Sequence, residues 1–373
     1  MYKTGFITAP LSGWLDLIRA LAALAVVIGH SHLLGVYTGT YPFSFTFELN
    51  AVVVFFVLSG LVIATSADRE GMDARRYAAA RIARIVPVAW ASLAFAYAAA
   101  VYCQSNGMTL RPVGMDPGEV SLLRTLRAAL FLDESWAAGV SINAPWWSLS
   151  CEVWFYVLFG LATWLRGPKR FAALAVALSV AGTNVLLMLP SWLVGVALAR
   201  LPAARRVSLV AAVALVLLAL LALQTSIIPF ALLEPITRPL VELYPGHSQF
   251  ALGYLVLALA IAGGFAGLRV LADKFGAVPA KIIPMVRWAA DMSFSLYVLH
   301  WPLLILLKAR GISADSGIGF AAILALIVAT AGVFAHFVEH RRDGLRCWLE
   351  RLFRANQRIS TSSSAIDGCK ATV

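Results

Sequence analysis

The chain has 373 residues, 61% of them hydrophobic and only 13% charged, with a mean hydropathy of +0.82. Soluble domains are about half apolar and a quarter charged, so this composition excludes one and defines an all-α, polytopic integral membrane protein. The formal charge of +11 would suit a nucleic-acid partner, but the basic residues lie in short loops between apolar segments, as cytoplasmic loops of membrane proteins do, so no nucleic acid is expected.

Ten apolar segments are candidate spans, at roughly 14–34, 47–66, 84–103, 147–166, 171–188, 190–201, 207–224, 250–268, 290–308 and 318–338. The sixth is short. It is kept because dropping it would reverse the register of every later loop. With ten spans, each even-numbered loop is basic: Arg69, Arg75, Arg76, Arg81 and Arg84; Arg166, Lys169 and Arg170; Arg200, Arg205 and Arg206; Arg269, Lys274, Lys281 and Arg287. Arg341, Arg342, Arg346, Arg351 and Arg354 follow the last span. These loops and both termini are therefore expected in the cytoplasm. The first span has no small-residue cleavage site after it and is read as an anchor rather than a signal peptide.

The first span, Trp14-LDLIRALAALAVVIGH, carries an arginine and a histidine. A charged group inside a span is costly and is usually kept for function. Arg19 and His30 are eleven residues apart, which returns them to nearly the same face, about 16 Å apart along the axis. Each has a structural alternative: Arg19 can snorkel to the interface, and His30 can be a bonded helix-end histidine. His32 lies around the helix from His30, at the interface.

The second span ends Phe55-FVLSGLVIATS, where Ser59-Gly60 reads as a close-packing pair. Arg75, Arg76, Arg81 and Arg84 before Pro87 are denser than topology requires. Arginine forks suit phosphates, and lipid head groups are an equally physical partner. The long outer loop 104–146 contains Glu119-VSLLRTLRAALFL, an expected interfacial amphipathic helix. The fourth span opens Asn143-APWWSLSCEVWFY, with Trp146 and Trp147 at the interface and Glu152 one to two turns below it. A carboxylate at that depth needs a partner, and His30 falls at a similar depth. In the ninth span, Ser293-FSLYVLHWPLL, His300 is near mid-membrane and Pro302 frees a backbone carbonyl.

Cys103, Cys151, Cys347 and Cys369 lack metal-type spacing, and no metal is expected. The tail from Gln357 is polar, rich in small residues and read as disordered. Walker, G-x-S-x-G and H-E-x-x-H motifs are absent. The two related halves with broken spans that would mark a transporter are not visible.

Six segments in order resemble the acyltransferase 3 family, membrane-embedded acyltransferases that modify bacterial surface carbohydrates. They are Leu15-DLIRALAALAVVIGH, Phe55-FVLSG, Arg75-RYAAARIARIVP, Trp147-SLSCEVWFY, Ser293-FSLYVLHWP and Phe337-VE, together spanning almost the whole chain. The Arg19–His30 spacing looks like the family's Arg-x10-His signature. Departures are Cys151 for a small aliphatic residue, Val86 for an aromatic, and His340 where proline is common. The resemblance implies a single acyltransferase-3-like transmembrane domain over 1–340 and a cytoplasmic basic and polar tail over 341–373, in a bacterial inner membrane.

It also implies transfer of an acyl group, usually acetyl from acetyl-CoA, to a hydroxyl of an exported or lipid-linked glycan. Acetyl-CoA or another acyl-CoA is then a donor substrate, with no permanently bound cofactor. Polysaccharide-synthesis machinery is a further partner. His30 would be the base or a brief acyl carrier, oriented by Glu152, with Arg19 holding the donor or the site and His300 assisting. Arg75, Arg76, Arg81 and Arg84 would hold the donor's phosphates. The alternative is a transporter of glycan or acyl donor using Glu152, His30 and His300 as a polar path.

Overall fold

The computed structural model describes residues 5–44, 46–107, 121–133, 135, 142–201, 207–225, 250–339 and 342–367. The described residues are helical, with no named strand among them. In chain order the helices are α1 (Ala9–Leu33), α2 (Phe47–Ala67), α3 (Ala74–Ser105), α4 (Leu122–Ala129), α5 (Trp146–Trp164), α6 (Gly167–Arg200), α7 (Leu209–Gln224), α8 (Ala251–Phe275), α9 (Ile283–Ala309), α10 (Gly317–Glu339) and α11 (Arg342–Asp367). Seven of these helices are long and apolar enough to cross a membrane. The 19-residue α5 carries one carboxylate, and α7 is an apolar helix of 16 residues.

Hydrogen bonds between helix ends fix the directions. Thr8 Oγ1 donates to Asp273 and Trp14 Nε1 to the Gly276 carbonyl, so α1 starts where α8 ends. Lys308 Nζ donates to the Gly35 carbonyl, so α1 and α9 finish together. These two helices run parallel and pack together, while α8 packs against α1 and α2 and runs antiparallel to α1.

The fifth and sixth expected spans lie within α6, but the break falls at Gly182 and not beside Pro190. Gly182 has φ +76° and ψ 171°, a conformation few L-residues adopt, and an added Cβ would overlap the Ser135 carbonyl. Uninterrupted, α6 would be about 51 Å long, well beyond a hydrocarbon core of about 30 Å. The second arm runs beside α5 in the same direction: Phe155, Tyr156 and Phe159 surround Trp192, and Arg200 reaches the Phe159 ring. Because Gly167 follows closely on the end of α5, the first arm must run the other way. The chain therefore turns back at Gly182. Pro190 is tolerated inside the second arm because a proline removes a single helical hydrogen bond.

Small residues let α2 and the second arm of α6 cross closely. A Cβ on Gly60 would overlap the Trp192 carbonyl, and one on Gly195 the Val57 carbonyl. Since the obstructing atoms are backbone, Gly195→Leu is expected to lower stability by about 3 kcal/mol or more. The check is the melting temperature of the detergent-solubilised protein; an unchanged melt would contradict this packing.

The amphipathic helix expected at 119–132 is present as the shorter α4, with Leu122, Leu123 and Leu126 exposed. Three indoles clasp its end: Trp90 and Trp146 donate to Ala129 and Ala128, and Trp154 to Phe131. Asp133 follows, 3% exposed, with Oδ2 lacking a partner among the described residues. Burial pushes its carboxyl from the ordinary 3.8 up to about 7, against the nearby Arg127 cation. The folded state thus favours the protonated acid. Its stabilising effect is complete below about pH 4 and is lost as pH rises through about 7. Asp133→Asn should therefore melt higher than wild type at pH 8, with the gap narrowing at pH 5 and closing only below about pH 4. The full effect is at most about 4 kcal/mol, at about 1.4 kcal/mol per pKa unit.

The tail departs from expectation. Helix extends through 357–367, where composition alone predicts disorder. Leu345, Leu349 and Phe353 recur every four residues and pack on Ala79 and Ala83 of α3. Cys103 and Cys151 are buried cysteines and Cys347 is exposed, none of them in a disulfide among the described residues; Cys369 and residues 226–249 lie outside the described residues.

Candidate active site

Helices α1, α2, α3, α5 and α9 line a partly open cavity, about 810 Å³ with the solvent space at its mouth included. Its polar lining includes Arg19, Arg81, Arg84, Glu152, Tyr156 and Ser59, and Ser148 and Tyr297 also line it. Three guanidiniums face one carboxylate, so the cavity is built for an anion. Arg19 lies 3.9 Å from Asp16, three residues away on the same helix. Arg81 lies 5.9 Å from the Tyr77 ring centre and 5.8 Å from that of Tyr156. Its Nε is buried and has no partner among the described residues. A buried donor left unmade is costly and marks a position that a ligand oxygen would fill.

The four arginines expected to act together divide. Arg81 and Arg84 enter the cavity. Arg76 is held by the turn before α3: its amide is capped by Asp73, and its Nη1 donates to the Gly71 carbonyl at 2.5 Å. Neither Arg75 nor Arg76 lines the cavity. Five residues, about 1.4 helical turns, separate Arg81 from Arg76, enough to move the side chain from the cavity to the helix end.

A chain of hydrogen bonds reaches Glu152. Tyr156 Oη donates to Glu152, which uses its single proton. It must then accept from Ser59 Oγ, 2.9 Å away. Ser59 Oγ in turn accepts from Trp192 Nε1 at 3.2 Å. Ser59, read as a packing residue, is thus a relay between α6 and α5, while Gly60 does serve packing. Tyr156 and Trp192 were missed as site residues; the i, i+4 spacing of Glu152 and Tyr156 was the available signal.

The pairing the structure shows for His30 is with His300. His30 Nδ1 lies 2.9 Å from His300 Nε2, with ring centres 5.1 Å apart, and Trp301 meets His30 edge-on. His300 is fully buried. Its Nδ1 is 2.6 Å from the Tyr297 carbonyl and 3.3 Å from that of Leu296. Carbonyls only accept, so Nδ1 carries the proton. In neutral His300 the other nitrogen, Nε2, is then an acceptor, and His30 Nδ1–H must donate to it. The basic lone pair of neutral His30 is thereby placed on Nε2. Tyr297 joins this pair to the cavity: its ring is 5.8 Å from that of His300, and its hydroxyl is 2.6 Å from Ser148 Oγ.

Glu339, in the Phe337-VE segment, accepts a hydrogen bond from Ser295 and ties the end of α10 to α9. Among the described residues no group of three or more His, Cys, Asp or Glu could hold a metal ion.

Taken together, these features describe a membrane-embedded protein with an arginine-lined cavity adjoining an oriented imidazole, an arrangement suited to group transfer. Residues 12–337 match a family model described as an acyltransferase domain. The chain belongs to the acyltransferase 3 family and is a membrane acyltransferase. No curated protein and no solved structure matches it.

Proposed function

We propose that the protein moves an acetyl group from cytoplasmic acetyl-CoA to a hydroxyl of an exported or lipid-linked glycan. The observation that carries this reading is the His30–His300 pair, whose hydrogen bonds orient His30 with its basic nitrogen at Nε2, beyond an arginine-lined cavity. The basic even-numbered loops support cytoplasmic termini in a bacterial inner membrane. The donor would then enter from the α1 start, with its phosphates on Arg81, Arg84 and Arg19. Arg19 and His30 are about 16 Å apart along α1, the gap the donor's thiol-bearing arm has to bridge.

His30 Nε2 accepts the proton of the glycan hydroxyl as its oxygen attacks the thioester carbonyl. The tetrahedral adduct collapses, the carbon–sulfur bond breaks, and the proton passes from His30 to the departing CoA sulfur. The products are the acetyl ester and free CoA. While His30 is cationic, His300 Nε2 accepts its Nδ1–H bond and holds the ring in place. Glu152, Tyr156 and Ser59 line the donor's path and fix Arg81 through ring contact and charge.

The test is product formation by purified protein in nanodiscs, with radiolabelled acetyl-CoA, a panel of free and lipid-linked glycans, and His30→Ala alongside. Labelled glycan from wild type alone supports the reading. Folded protein that neither releases CoA nor transfers label, yet moves glycan or acyl donor across proteoliposomes, would make it a transporter.

A further inference from the structure

Pro302 sits inside α9 and has no amide to give the carbonyl four residues back, that of Val298. That carbonyl instead accepts from Asn143 Nδ2 at 2.8 Å, across a buried contact between the loop before α5 and α9. Asn143 and Val298 are 1% and 2% exposed, so the pairing replaces a helical bond where water does not serve. The same loop holds the neighbouring residue, because Tyr297 Oη lies 3.2 Å from the Pro145 carbonyl. Residues 297 and 298 are thus gripped from outside the helix. They lie immediately before His300, and the Tyr297 carbonyl is the acceptor that fixes the His300 proton on Nδ1.

We propose that Asn143 is a positioning residue. By occupying the carbonyl that Pro302 leaves unserved, it holds this stretch of α9 in the geometry where His300 Nδ1–H meets Tyr297 and Nε2 faces His30. Asn143 acts through His300. The kinetic part of this inference rests on the acyl-transfer reading; the tautomer part stands without it.

The experiment compares Asn143→Ala, Pro302→Ala and the double variant in nanodiscs, reading thermal stability, kcat, donor KM and ¹⁵N-histidine spectra. His300 signals are assigned by their loss in His300→Gln. Asn143→Ala is expected to lower kcat at least about tenfold, since small displacements of catalytic groups are costly, with donor KM within about twofold. Its His300 signals should move from protonated Nδ1 towards mixed tautomers. In the double variant, the Pro302→Ala change returns an amide to the Val298 carbonyl, so stability should recover while kcat and tautomer do not.

Recovery of kcat together with stability would show that Asn143 merely satisfies a carbonyl, and would overturn the proposal. So would an unchanged His300 tautomer in Asn143→Ala. If Asn143→Ala does not fold, the double variant read against Pro302→Ala decides, because both keep the helix bonded and they differ only at Asn143. Lower kcat with altered tautomer in the double variant supports the proposal, and equal values in the two overturn it. Wild-type protein that transfers no acyl group would count against the acyl-transfer reading, with the spectra still deciding the role of Asn143.

Discussion

His30→Gln is expected to lower acyl transfer by about 10²–10⁴-fold, the range a positioned general base contributes. Glutamine keeps a polar side chain of similar reach but cannot take a proton at neutral pH. The donor contacts proposed for Arg19, Arg81 and Arg84 are untouched, so donor affinity should stay near wild type and the loss should fall on kcat. His300→Gln is the informative companion. It removes the imidazole that accepts from His30 Nδ1 but leaves the base itself, so its loss should be smaller. Insertion and thermal stability are measured on the same samples. Wild-type kcat in a well-folded His30→Gln protein would remove His30 from the chemistry.

What the sequence made legible here was periodicity and cost. Arg19 and His30 stand out because polar groups on one face of an apolar helix are expensive, and that argument needs no neighbours. His300 stands out for the same reason, as does the carbonyl freed by Pro302. What lay beyond the sequence was the pairing of groups across helices. Glu152 and His30 share an approximate depth, yet depth leaves the angle around the bundle open, and there Tyr156 takes the carboxylate while His300 takes the imidazole. The boundary expected between the fifth and sixth spans falls beside Pro190, several residues past the actual break in α6. Gly182 wins because the Ser135 carbonyl lies where a Cβ would be, a contact distant in sequence. In the tail, a bulk composition of polar and small residues hides the four-residue recurrence of Leu345, Leu349 and Phe353 just ahead of it.

Arg81→Met should raise the donor KM by about 10–100-fold while leaving kcat at saturating donor close to wild type. Hydrogen bonds to charged groups contribute about 1.5–3 kcal/mol, and about 1.4 kcal/mol is tenfold in affinity. Methionine keeps the apolar stem beside Tyr77 and Tyr156, so the packing of those rings is preserved and the change isolates the guanidinium. Arg81→Lys should restore little, because an ammonium lacks the flat fork that lies near both rings and binds phosphate through two bonds. Arg76→Ala is the control. Its side chain clasps the Gly71 carbonyl away from the cavity, so donor KM should not move. A KM change shared equally by Arg76→Ala and Arg81→Met would point to general attraction of an anion by a basic surface, and that attraction would fade with added salt. A change confined to Arg81→Met, and persisting in salt, requires a donor anion seated in the cavity against a buried guanidinium.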